Sequence, residues 1–289
     1  MKELVIISGK GGTGKTSIIS AFASLAENKV LCDADVDAAD LHLIASPQID
    51  QRNDFMGGNK AFIEERFCTE CGLCHELCRW NAINDDFIVD NLECEGCGVC
   101  VYFCPEKAIE FPVQNCGEWY ISKTRFGPMV HARLGIAQEN SGRLVTLVRQ
   151  EAKKLAEKNN LDLIITDGPP GVGCPVIASM GGASAVLIVT EPTVSGRHDM
   201  ERVAQLAAHF KVPAMMSVNK FDLNTDQTLS IEKYAETKGI AVLGRIPFDT
   251  ALTKSMVQAK TVIEYDKDSV SAQAINTVWK QISKYLNDN

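Results

Sequence analysis

Apolar residues along this chain gather into short unbroken runs, with longer stretches of helical spacing between them. Leu4-Val5-Ile6-Ile7, Val30-Leu31-Cys32, Leu163-Ile164-Ile165, the 185–190 segment and the 213–218 segment each read as a strand buried on both faces, and a last strand ends at Ile246. Leu144, Leu147, Val148, Ala152 and Leu155 recur at helical spacing and predict a helix over 144–158. Ala274, Ile275, Val278, Trp279, Ile282, Tyr285 and Leu286 predict another over 271–286. Residues 114–122 and 127–134 alternate apolar with polar, predicting two exposed strands joined as a hairpin. Residues 47–62 show no usable period and read as a linker. Buried strands alternating with helices predict an α/β fold, a doubly wound and mostly parallel sheet with helices on both faces.

The first strand leads into Ser8-Gly9-Lys10-Gly11-Gly12-Thr13-Gly14-Lys15-Thr16-Ser17, and a helix opens behind it at Ile18. Glycines let consecutive amides turn toward phosphate oxygens at the positive end of the helix dipole, so strand, loop and helix together make a phosphate site. In the pattern GxxxxGKT, Lys15 reaches the terminal phosphates and Thr16 offers its hydroxyl to Mg2+. Gly11, Gly12, Thr13, Gly14, Lys15, Thr16 and Ser17 are therefore the candidate nucleotide-binding residues. Acids close two other runs, in Asp33-Ala34-Asp35-Val36-Asp37 and in Asp167-Gly168-Pro169-Pro170-Gly171. Carboxylates at the C-terminal ends of parallel strands sit where open α/β sheets bind ligands.

The lysine directly after the first glycine, Lys10, makes the loop resemble the deviant Walker A loop of the MinD/ParA/Mrp superfamily, which includes the nitrogenase iron protein. The resemblance covers almost the whole chain. It implies a P-loop ATPase core that binds ATP and Mg2+, forms an ATP-sandwich homodimer in which Lys10 reaches the partner's nucleotide, and hydrolyses slowly alone. It also implies that Thr16, Asp33 and Asp167 serve Mg2+, that Lys10, Lys15 and Asp35 are catalytic, with Asp35 orienting the attacking water, and that the Gly168 and Gly171 amides sense the γ-phosphate. Asn219 and Pro247 match positions that line the adenine. MinD proteins end in a membrane-targeting helix, but the 271–286 helix carries only Lys280 and Lys284 and is followed by Asp288, so it is read as docked on the core.

Cys68, Cys71, Cys74 and Cys78 form CxxCxxCxxxC, and Cys94, Cys97, Cys100 and Cys104 repeat it 26 positions later, with Ala82-Ile83 matched by Ala108-Ile109. Each run resembles the bacterial ferredoxin signature, in which three close cysteines serve one cluster and the fourth serves the other. The resemblance implies two [4Fe-4S] clusters, one on Cys68, Cys71, Cys74 and Cys104, the other on Cys94, Cys97, Cys100 and Cys78. Structural zinc favours paired CxxC knuckles over three cysteines at successive threes. Arg79 follows Cys78 where a two-cluster ferredoxin usually has proline, and a guanidinium there favours the more negative, reduced state. Residues 59–112 are thus read as a small inserted α+β ferredoxin-like domain, with 1–58 and 113–289 as the ATPase core.

Length and composition agree with one large α/β core plus a small insert, at 289 residues and 45% hydrophobic content. The net charge is −8 and no run of lysine and arginine carries interleaved aromatics, which argues against a nucleic-acid groove or a polybasic membrane patch. A strand begins by residue 4, leaving no signal peptide, and no apolar stretch approaches the roughly 20 residues of a membrane span, so a cytoplasmic protein is expected. In that setting eleven cysteines, eight of them in regular runs, favour metal ligation over disulfides. The expected function is an ATPase that couples nucleotide state to electron transfer toward a partner protein or a metal cofactor. Two alternatives are an ATP-dependent scaffold or carrier for iron-sulfur or metal cofactor assembly, and a MinD-like positioning switch with structural clusters.

Overall fold

The structure, a computed structural model, describes residues 1–135 and 141–288. Its strands are β1 (Lys2–Ser8), β2 (Lys29–Asp33), β3 (Gln48–Asn59), β4 (Phe62–Ile63), β5 (Ile109–Glu110), β6 (Val113–Thr124), β7 (Gly127–Leu134), β8 (Leu163–Asp167), β9 (Ala185–Thr190), β10 (Ala214–Asn219) and β11 (Ala241–Ile246). One sheet has the order β11-β10-β9-β1-β8-β2-β7-β6-β3. β1 lies between β8 and β9, and these three with β2, β7, β10 and β11 pair in parallel. The described residues divide into two compact units, one of Met1–Arg52, Trp119–Arg133 and 141–288, the other of Asn53–Glu118 with 134–135. Both divisions near residues 52 and 118 fall inside strands, β3 and β6.

In the first unit the two faces of β1 are covered by different helices, as alternation along a strand requires. Leu4 and Ile6 pack with helix Lys15–Leu25 and helix Val270–Asp288. Val5 and Ile7 pack with helices Cys174–Met180 and Val194–His209. These side chains are fully buried, each worth about 1.5–3 kcal/mol relative to exposure, so the strand that carries the glycine loop is firmly held. The C-terminal helix docks on this core through Ile275, Val278, Trp279 and Ile282, with the Trp279 ring 5.1 Å from that of Phe22. No helix among the described residues is long and apolar enough to cross a membrane.

Two expectations are corrected. Residues 47–62 are not a linker: Gln48–Asn59 is a strand at the sheet edge, mostly exposed, so no buried face imposed a period on its sequence. The 127–134 strand is not exposed either. β7 pairs with β2, Cys32 opposite Val130, and Met129, Val130, His131 and Ala132 are buried. The polar residue in that run, His131, reaches Ser122 Oγ with Nε2 at 2.9 Å and stacks on Tyr120, which is why a buried strand could look amphipathic. The hairpin itself is present, as the two-residue Arg125-Phe126 turn between β6 and β7.

The second unit repeats its conformation at the period of its sequence. Gly72 and Gly98, both with positive φ, precede helices Leu73–Leu77 and Val99–Phe103. Asn81 and Lys107, again 26 apart, are both left-handed at φ 52°. β4 and β5 pair antiparallel, Ile63 opposite Ile109, over a small core of Ala61, Cys74, Ala82, Ile83, Cys94 and Ile109.

Candidate functional site

The glycine loop leaves β1 at Ser8 and enters helix Lys15–Leu25 at Gly14. Gly14 has φ +89°, and a Cβ there would lie 2.4 Å from Asn219 Nδ2. Only glycine fits both the backbone and the space. The helix has no side-chain cap, so its first amides remain available to an anion. Thr13 is buried with Oγ1 unpartnered among the described residues, and Ser17 Oγ is 2.8 Å from Met256 Sδ. Gly11 and Gly12 have open space where a side chain would stand.

Lys15, buried, meets two of the strand-end acids. Its Nζ is ion-paired with Asp167 and lies 3.4 Å from Asp35 Oδ2. Burial opposes its charge, but the carboxylates of Asp167, Asp35 and Asp33 outweigh that and raise its pKa. Asp33 and Asp167 stand opposite one another on β2 and β8. Burial first, and then Asp167, pushes the Asp33 carboxyl well above its usual range; burial likewise raises Asp167 despite Lys15, and lifts Asp35 to about 6. Thr16 Oγ1 is 3.4 Å from Asp167 Oδ2. One lysine therefore faces three carboxylates, and Asp33 Oδ2 is buried without a hydrogen-bond partner among the described residues. Such an excess of buried negative charge fits Mg2+, which takes one or two carboxylates and completes its shell with water and phosphate oxygens.

Lys10 is held within its own chain. Its Nζ lies 2.6 Å from Glu191 Oε1 and donates to Ser195 Oγ at 3.0 Å and Thr193 Oγ1 at 3.4 Å. Asn219 carries its amide against the loop: Nδ2 donates to the Thr13 carbonyl at 2.7 Å, and Oδ1 accepts from the Lys220 amide. Pro247 is half-buried after β11, and the neighbouring Phe248 amide donates to Asp222 Oδ1 at 2.7 Å. The amides of Gly168 and Gly171 are bonded to the carbonyls of Ile6 and Ser8, so in this conformation both serve β1 and the loop base instead of facing a phosphate. Sequence reasoning passed over Glu191 and Lys220. The signal for them was their position at the ends of β9 and β10, the same edge that carries the loop.

In the second unit the cysteines sort into two cavities. Cys68, Cys71, Cys74 and Cys104 line one, with Ile63, Phe87 and Ile109 among its apolar walls. Cys78, Cys94, Cys97 and Cys100 line the other, beside Trp80, Val89 and Phe111. Each run thus places three thiols in one cavity and its fourth in the other. All eight are free of disulfides, and the amides of Ala82 and Ala108 donate to Cys78 Sγ and Cys104 Sγ at 3.3 Å. Four thiols around an apolar space, with amides aimed at sulfur, fit a multi-iron cluster. Of the other cysteines, Cys32 is buried in β2, Cys116 donates to the Gly57 carbonyl, and Cys174 is exposed at the start of its helix.

The profile of the CobQ/CobB/MinD/ParA nucleotide binding domain matches residues 4–262. The uncharacterized protein MJ0578 of Methanocaldococcus jannaschii is 29% identical over 287 residues, 98% of this chain and 97% of the relative. A shorter match, 35% identical over 51 residues, joins 18% of this chain to 63% of the pyruvate synthase subunit PorD of Methanothermobacter marburgensis. Among solved structures, the septum site-determining protein MinD of Pyrococcus horikoshii OT3, complexed with Mg-ADP, shares the fold at a TM-score of 0.61 with 17% identity, over 98% of this chain and 96% of that one.

Proposed function

The chain belongs to the CobQ/CobB/MinD/ParA nucleotide-binding family and is a P-loop ATPase, and we propose that it couples nucleotide state to electron transfer through two [4Fe-4S] clusters, toward a partner protein or a metal cofactor. The observation that carries this reading is the sorting of eight repeat cysteines into two cavities of four, each completed by the other run. Cys68, Cys71, Cys74 and Cys104 would hold one cluster and Cys78, Cys94, Cys97 and Cys100 the other. Such clusters supply one-electron transfer at potentials set by nearby charge and hydrogen bonds.

At the nucleotide, Lys15 exchanges Asp167 and Asp35 for phosphate oxygens. That exchange would free Asp167, with Thr16 and Asp33, to hold Mg2+, which would neutralise phosphate charge, and would free Asp35 to orient the attacking water. In a homodimer closed over two nucleotides, Lys10 leaves Glu191 for the partner's phosphates. The protein works in the cytoplasm.

The deciding experiment is anaerobic EPR with redox titration in the presence of ATP, ADP or neither. A coupling of about 1–3 kcal/mol moves a one-electron midpoint by roughly 45–130 mV. Identical midpoints in the three states sink the coupling. Cys104→Ser should lower iron from about eight to about four per chain and leave the signal of the Cys94 cavity intact; iron far below eight in the anaerobic wild-type protein removes the clusters themselves. A second reading, a MinD-like switch with structural clusters, is supported by the fold shared over nearly the full chain. It requires midpoints that ignore nucleotide. A carrier for cofactor assembly instead requires iron to pass to an apo acceptor.

A further inference from the structure

Three lysines surround the glycine loop, and every one is met by a carboxylate. Lys15 has Asp167 and Asp35. Lys10 and Lys220 share the single carboxylate of Glu191, Lys10 on Oε1 at 2.6 Å and Lys220 on Oε2 at 3.3 Å. Lys220 is also part of the loop's scaffold: its Nζ donates to the Gly12 carbonyl at 3.1 Å. The helix that follows Glu191 is pressed against the loop, since a Cβ on Gly9 would come within 2.3 Å of Asp199 Cβ. Each carboxylate oxygen of Glu191 meets one lysine beside the loop.

We infer that Glu191 is a positioning residue that sets how much positive charge the loop offers to nucleotide phosphates, by holding Lys10 and Lys220 on one shared carboxylate. Two cations against one anion leave a net single charge beside the loop. A nucleotide must compete for both lysines, and the competition favours the ligand with more phosphate charge. The carboxylate thus lowers affinity for the triphosphate more than for the diphosphate. It narrows the gap between the two states and keeps the triphosphate from binding too tightly to be exchanged. This inference rests on the reading that Lys10 and Lys220 meet nucleotide phosphates, the chain's own or its partner's, and is independent of the clusters.

The test is calorimetric binding of Mg-ADP and of a slowly hydrolysed Mg-ATP analogue, with steady-state kcat and KM for ATP, on the full chain. Glu191→Gln keeps the shape and a hydrogen-bonding oxygen but removes the charge, and should tighten the triphosphate by about tenfold and the diphosphate by about threefold or less. Glu191→Asp, which restores the charge, should return the ratio of the two affinities toward wild type. Lys220→Met leaves Glu191 wholly to Lys10 and should weaken the triphosphate selectively, the opposite sign. Ser195→Ala removes an uncharged partner of Lys10 and should leave the ratio unchanged. Equal shifts for both nucleotides in Glu191→Gln, or weaker triphosphate binding, overturn the inference. If Glu191→Gln does not fold, the sign of Lys220→Met decides alone: a triphosphate affinity that is unchanged or tighter overturns it.

Discussion

Replacing Gly14 with alanine tests whether the phosphate loop is braced from outside by Asn219. The φ of +89° at Gly14 costs a side-chain-bearing residue about 1–2 kcal/mol. The added Cβ also comes within 2.4 Å of Asn219 Nδ2, in a residue that is 1% exposed and cannot move out to solvent. The amide must swing off the Thr13 carbonyl, its partner at 2.7 Å, and an unsatisfied buried amide costs about 1–3 kcal/mol. Gly14→Ala should therefore destabilise the first unit by about 2–5 kcal/mol, and Asn219→Ala by about 1–3 kcal/mol. In the double variant the clash is gone and the lost hydrogen bond is counted once, so the sum of the single effects should exceed the double by about 1–3 kcal/mol. Urea unfolding followed by circular dichroism, with each variant compared at its midpoint, measures the cycle. Additivity within about 0.5 kcal/mol would mean that Asn219 does not hold the loop, and the argument would fall.

Two further predictions concern buried charge. Lys15→Met strands Asp33, Asp35 and Asp167 without their shared cation, and should cost about 3–5 kcal/mol at pH 7. Because Asp35 keeps its proton to about pH 6 when folded, against an ordinary 3.8, the folded state binds more protons through that window; stability falls as pH rises across it, and the penalty of Lys15→Met should shrink toward pH 5, as denaturant midpoints at the two pH values will show. The opposite sign is expected for His131, whose pKa burial lowers from 6.5 to about 4. The unfolded chain takes up that proton first as pH falls, so up to about 3 kcal/mol of stability should be lost between pH 7 and pH 4, and His131→Gln should flatten that part of the profile; an unchanged slope would mean that the ring is solvated.

What could be read in the sequence and what could not divide along a physical line. Strands buried on both faces announce themselves by unbroken apolar runs, and β1, β8 and β9 stood out for that reason. The loop at Gly14 was legible because its pattern is local: glycine, lysine and threonine stand at adjacent positions between a strand and a helix. The resemblance to a known spacing grouped Cys104 with the first run, and those four residues line one cavity. β3 was lost because an exposed edge strand needs no face, and β7 because a satisfied His131 imitates an exposed position. The same distinction applies to the loop contact of Asn219. Its amide is bonded to Thr13, 206 residues earlier in the chain, and Glu191 meets Lys10 across a comparable separation and Lys220 across 29 positions. Contacts of that span are created by the sheet order, which brings the ends of β1, β9 and β10 side by side. No window of neighbouring residues contains them. Local chemistry therefore identifies the phosphate-binding groups, while the groups that regulate their charge and posture come from strand ends that only the fold makes adjacent, and variants at Glu191 and Asn219 are where that division can be measured.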